Sequence, residues 1–182
     1  MISYLPSIIK QFKYYKSLGD KTFNQLTLEE LQWQSHESSN SISIIVKHIV
    51  GNMLSRWTNF LTEDGEKEWR HRDQEFEDTF ITNEDLIAAW ESGWKCLFNA
   101  IATLTEGDLE KIIHIRNQGH TVIEAINRQL AHYAYHIGQI VFLAKLLKGN
   151  DWQSLSISKG DSKNYNNKKF SIEKGRRHFT ND

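Results

Sequence analysis

The stretch Thr121 to Lys148, TVIEAINRQLAHYAYHIGQIVFLAKLLK, constrains the fold of this chain most. It has no proline and a single glycine, and Val122, Ile126, Leu130, Tyr133, Ile137, Val141 and Ala144 fall on one stripe at helical spacing. The pattern predicts one long helix whose apolar stripe must be covered by other helices. His132 and His136 are four residues apart in it. They lie one turn apart on the same side and can point at a common centre, the arrangement in which two imidazoles bind one metal ion.

Partners for that stripe are found upstream. Ile2 to Leu18 predicts a first helix with Tyr4, Ile8, Phe12 and Tyr15 near one face, and Gly19 with Asp20 is expected to stop it. Pro6 suits a first helical turn. Thr27 and Glu30 are spaced as a capping box for a short turn at Leu28 to Leu31. The polar run QWQSHESSNS then connects to a second long helix beginning near Ser41, in SISIIVKHIVGNMLSRWTNFLT. Its stripe is Ile42, Ile45, Val46, Ile49, Met53, Trp57 and Phe60, with His48 beside it. Gly51, a poor helix former in the helix interior, marks close packing or access for another group. A third long helix, Glu84 to Thr103, is capped by Thr82 or Asn83 and carries Leu86, Ile87, Trp90, Trp94, Leu97, Phe98 and Ile101.

The crossing between the second and third helices, EKEWRHRDQEFEDTFI, has no clean period and reads as mostly surface, with Trp69 and Phe76 pinning it over the end of the bundle. In Thr105 to Gly119, the residues Leu109, Ile112, Ile113 and Ile115 fit no single period and suggest a short extended segment. Gly149 suits the C-terminal cap of the long helix. The expected architecture is therefore all-α, a four-helix bundle over residues 1–150 with a long crossover. A polar, irregular C-terminal tail, 151–182, packs partly on the bundle through Trp152, Leu155 and Phe170.

A chain of 182 residues is long enough for one proper core without staples. Its formal net charge of -1 gives no global field for nucleic acid or an anionic membrane, and the basic tail lacks a structured aromatic and basic pattern. No apolar run is long enough to span a bilayer, and the N-terminus lacks a secretory signal. The single cysteine, Cys96, excludes an internal disulfide framework and, among Trp94, Leu97 and Phe98, reads as a packed, inert thiol. These features suggest a soluble cytoplasmic protein that binds neither nucleic acid nor membrane.

His48 on the second helix, with His132 and His136, can offer three neutral imidazoles to a divalent transition ion and leave a coordination position open. Zinc or nickel suits such a shell first, with iron or cobalt as the alternatives. Spacing alone does not select His48 as the third ligand, because His36, His71, His114, His120 and His178 are also present, and a histidine beside an apolar stripe is often only a packed, hydrogen-bonded residue.

The segments SNSISIIVKHIVGNMLSRW and HYAYHIGQIVFLAKLL together resemble the DinB-like superfamily, which includes thiol-dependent transferases related to bacillithiol transferase. With SRWTNFLTEDGEKEWRHRDQEFED, the chain is similar to an uncharacterised bacterial branch of that superfamily, over roughly Leu28 to Leu147. The resemblance implies an up-up-down-down bundle, a homodimer, and a metal held by His48, His132 and His136. It further implies a low-molecular-weight thiol activated for attack on a small electrophile. Ile137 stands where the common pattern has arginine, while Gly138 and Gln139 keep it.

Around that site, Asn52, Gln139 and Tyr133 are candidates to orient ligands or shape the pocket, and each reads equally well as a packing residue. Arg70 and Arg72 are candidates at the substrate mouth, able to fork onto a carboxylated substrate or thiol; the alternative is surface pairing with Asp73 and Glu75 or stacking on Trp69. A metal-dependent hydrolase, or a noncatalytic stress-response or interaction protein, would use the same scaffold.

Overall fold

The computed structural model describes residues 4–180. Four long helices form the bundle: α1, Tyr4–Phe23; α3, Ile42–Trp57; α4, Asn83–Ala102; and α5, Val122–Lys148. The short α2, Leu28–Gln32, joins α1 to α3, and a hairpin of β1, Ile112–Ile115, and β2, Gln118–Thr121, precedes α5. A further helix, α6, Ser162–Phe170, lies in the tail. The fold is thus predominantly helical, with a small hairpin and extra helices added to the expected four. Packing runs in a ring, α1 on α5, α5 on α3, α3 on α4 and α4 on α1. Among the described residues no helix is long and apolar enough to cross a membrane.

Local chemistry fixes the helix starts. Thr27 and Glu30 close a capping box on α2, as do Thr82 and Asp85 on α4 and Thr121 and Glu124 on α5, so that first-turn N–H groups are satisfied. The Ser41 hydroxyl accepts from the Ile44 N–H to start α3. At the other end of α5, Gly149 takes a positive φ of 54° that few side chains tolerate. The aromatic centre of the core is Phe12, Trp90, Trp94 and Tyr133, packed mostly edge to face.

Several expectations are corrected. Helix α1 does not stop at Gly19 but continues to Phe23, while the expected start at Ile2 lies outside the described residues. Gly19 is buried against Trp90, where a Cβ would sit 2.5 Å from Cζ2, and the Asp20 carboxylate accepts from the Trp90 indole N–H at 2.8 Å. Glycine here serves close approach between α1 and α4 rather than termination. Helix α3 ends at Trp57, ahead of the expected Thr62, in a turn where Asn59 adopts a φ of 49°.

The extended segment is a two-stranded hairpin whose turn residues, Arg116 and Asn117, have φ of 55° and 60°. Such a turn favours glycine or asparagine. Here the Asp64 carboxylate stabilises it by accepting from both turn N–H groups, at 2.8 and 2.7 Å. In the crossing, Trp69 is exposed rather than pinned, whereas Phe76, though partly exposed, does rest on the bundle by stacking on His48, and Lys67 and Glu75 turn inward. The tail is not wholly irregular, because α6 forms in it; Phe170 is exposed, whereas Trp152 packs on the core. Near its end Phe179 meets Tyr14 edge to face, and His178 Nε2 lies 3.1 Å from the Ser7 hydroxyl.

Candidate metal centre

Helices α3 and α5 pack side by side, and this contact brings His48 to His132 and His136. The ligand atoms of the three residues lie within 4.8 Å of one another. His48 Nε2 is 3.4 Å from His132 Nε2, which is 3.0 Å from His136 Nε2. Nitrogens bound tetrahedrally to zinc at 2.0–2.1 Å stand about 3.3 Å apart, so the cluster is already close to the spacing of a ligand set. It is the only such group of histidine, cysteine and carboxylate side chains among the described residues.

The far side of each outer ring is held by an acceptor. His48 Nδ1 lies 2.9 Å from the Glu75 carboxylate, and His136 Nδ1 lies 2.7 Å from Gln139 Oε1. Both partners accept, so each Nδ1 carries the hydrogen and each Nε2 turns a lone pair toward the cluster. His132 Nε2 can donate to only one of its two neighbours, leaving the remaining lone pairs facing one another. A cation at the centre relieves that repulsion and uses all three nitrogens. The donor set fits a transition ion, and hydrogen-bonded acceptors behind ligand histidines are what such sites use to fix ring orientation.

The electrostatics favour the ligand form. Burial pushes the His132 pKa down to about 3, assisted by neighbouring His136 and His48 and by Arg56 and Arg70. Burial also lowers that of His136, against the hydrogen bond from Gln139. Both rings are therefore neutral at physiological pH. Burial acts to raise the Glu75 pKa, but the bonds from His48 and Arg70 outweigh it and keep the carboxylate ionised behind His48. Arg70 grips that carboxylate with two bonds, Nε to Oε1 at 2.7 Å and Nη2 to Oε2 at 3.0 Å. A chain of contacts thus runs Arg70, Glu75, His48.

The other sequence-nominated residues fall in three places. Gln139 touches the cluster directly and is itself steadied by the bond from its amide to the Tyr135 hydroxyl, at 3.1 Å. Tyr133 is fully buried; its hydroxyl donates to Asn52 Oδ1 at 3.0 Å and accepts from the Trp57 indole at 3.1 Å. Asn52 lines a cleft beside the histidines, together with Arg70 and Arg72. The Arg70 side chain is only 2 % exposed, whereas Arg72 is exposed.

In the sequence Glu75 reads only as a surface partner for Arg70 or Arg72; it does pair with Arg70, but its place behind His48 is missed. It sits in a 3-10 turn, Arg72–Phe76, of a polar stretch without periodicity, so nothing local marks it. Its trace is on α3 instead: a Cβ at Gly51 would run into the Glu75 carboxylate, and the missing side chain is what lets Glu75 reach His48. Phe76, the next residue, stacks on His48 with ring centroids 5.7 Å apart and covers it.

The chain belongs to the DUF1572 family, a DinB-like family: the family model described as "Protein of unknown function (DUF1572)" matches residues 1–161. No curated protein matches the chain.

Proposed function

We propose that this DUF1572 chain binds one divalent transition ion, zinc or nickel before iron or cobalt, through His48, His132 and His136, and uses it as a metal-dependent thiol transferase acting on small electrophiles. The observation that carries the reading is the convergence of three Nε2 atoms whose rings are braced from behind by Glu75 and Gln139. When bound, the ion supplies the Lewis acidity that makes a thiol ionise near neutral pH. The histidines contribute neutral nitrogens and no proton transfer, since each is committed as a ligand. Asn52 and Gln139 orient neighbours and are not bases, so the thiol proton leaves to solvent. The sulfur then forms its bond to the electrophilic carbon as the leaving-group bond breaks.

The up-up-down-down order belongs to the same reading, supported by the ring of α1, α5, α3 and α4 and the long crossing between α3 and α4. So does a homodimer, supported by Tyr135, Phe142 and Leu146 exposed along α5. A cytoplasmic setting is supported by the half-buried, unpaired thiol of Cys96. The test is turnover of an electrophilic dye by zinc- or nickel-loaded protein with and without a panel of small thiols. The reading expects thiol-dependent product that disappears in His132→Ala. Turnover without thiol assigns a hydrolase, and no turnover with any thiol removes the transferase reading.

A further inference from the structure

Beside the histidines the protein builds a concave space of about 190 Å³, with His48 and His132 in one wall. The rest of its lining is dominated by guanidinium groups: Arg56 from α3, Arg70 and Arg72 from the crossing, Arg116 from the hairpin turn and Arg128 from α5. Four separate segments of the chain converge there with the same charge. Two carboxylates offset them in part. Glu75 holds Arg70, while Glu66 holds Arg56 at 3.2 Å and Arg116 at 2.9 Å. Among the described residues Arg72 has no side-chain hydrogen bond or ion pair, and Arg128 meets only His120 Nε2, at 3.3 Å. The cleft therefore carries an excess of positive charge that the fold does not neutralise.

A second, independent feature lies in the same wall. Gln129 is 4 % exposed, and its Oε1 has no hydrogen-bond partner among the described residues. A buried amide oxygen without a partner is costly, and this one belongs to a residue that lines the cleft. The congestion of charge is felt by the protein itself: burial lowers the Arg56 pKa, and Arg70 and Arg116 lower it further against the pull of Glu66.

We propose that this arginine cleft binds a small organic anion, a carboxylate or phosphate on the substrate or thiol, and so sets the molecule's reacting end against the histidine cluster. The volume fits one small anionic group, and its concave shape does not offer the extended basic track that a nucleic acid needs. Arg72 supplies a free guanidinium and Arg128 one engaged only by the His120 ring, both able to form forked bonds, while Arg116 adds charge from the turn and Gln129 lines the cleft as a neutral amide. The placement of the reacting end rests on the histidines being a metal site; the capture of the anion rests on the arginines alone.

The experiment is calorimetric titration of the full chain, both metal-free and after incubation with zinc, with succinate, with inorganic phosphate and with the neutral isostere succinamide, at low ionic strength. The protein is compared with the Arg72→Gln/Arg128→Gln double variant, whose altered side chains are exposed and do not threaten folding. Succinate or phosphate should bind once per chain in both preparations. Each lost guanidinium should weaken binding about tenfold, the size of one charge-assisted bond, and succinamide should not bind. Anion binding seen only after zinc and unchanged in the double variant would mean coordination to the ion and overturns the cleft. Absence of saturable heat for both anions also overturns it. If the protein takes up no zinc yet still binds succinate through the arginines, the cleft stands and the metal reading fails.

Discussion

Glu75 passes across α3 at the one position of that helix without a side chain, Gly51, and there meets His48 Nδ1 at 2.9 Å. Gly51→Ala therefore tests whether that passage matters to the site. The new methyl favours the helix by about 1 kcal/mol, while it collides with a carboxylate pinned from both sides by Arg70 and His48. The variant should lose metal affinity, read by competition with a chromophoric chelator, and should also melt lower, because the displaced carboxylate leaves the buried Arg70 guanidinium without its partner. Unchanged affinity would show that Glu75 does not position His48.

Direct removal of the bracing groups should follow the same order. Glu75→Gln keeps an acceptor but loses the charge that supports His48 and answers Arg70, and should weaken metal binding by about 10–100-fold. Gln139→Ala removes a neutral acceptor from His136 and should cost about tenfold. Equal affinities for both variants and the unaltered protein would make these contacts incidental.

How much of this was legible beforehand differs residue by residue. His132 and His136 announce themselves because helical spacing puts them on one face, and the Thr121 start of α5 follows from its apolar period. His48 is legible only by resemblance, since its approach depends on how α3 packs against α5 and no spacing in the chain encodes that. Glu75 could be read as a partner for Arg70, but nothing local placed it behind His48, and only Gly51 hinted at a visitor. Gly19 was misread because a glycine needed for contact with Trp90 looks, in one dimension, like a helix stop. The hairpin escaped because its turn, Arg116-Asn117, lacks glycine and is held by Asp64, fifty-two residues away from Arg116 in the chain.

The Gly19 reading can be checked by Gly19→Ala. The helix gains about 1 kcal/mol in propensity, but the added carbon lies 2.5 Å from the buried, 0 % exposed Trp90 ring. Overpacking of this kind costs about 1–3 kcal/mol and should prevail, lowering the urea midpoint. A stabilised variant would mean that α1 and α4 can separate to admit a methyl.

Glu66 gives the fold a defined acid response. Burial would raise its pKa, but Arg116 and Arg56 override this and hold the carboxyl below its usual range. A carboxyl depressed in the folded state contributes stability that is present above its unfolded value, about 4.3, and is lost as pH falls through the folded value. Glu66→Gln should therefore be less stable at pH 7, by on the order of 1 kcal/mol for a partly exposed group, and the gap should close in urea melts below about pH 4. A gap that widens on acidification would contradict the pairing.

The central claim is that three braced imidazoles form a site for one ion. The most direct measurement is elemental analysis of untagged full-length protein purified without chelators, and again after supply of zinc or nickel, beside a folded His132→Ala variant. The account predicts close to one transition ion per chain and its loss in the variant. No ion in either protein, even after zinc and nickel are supplied, would contradict it and leave His48, His132 and His136 as packed residues of a helix bundle.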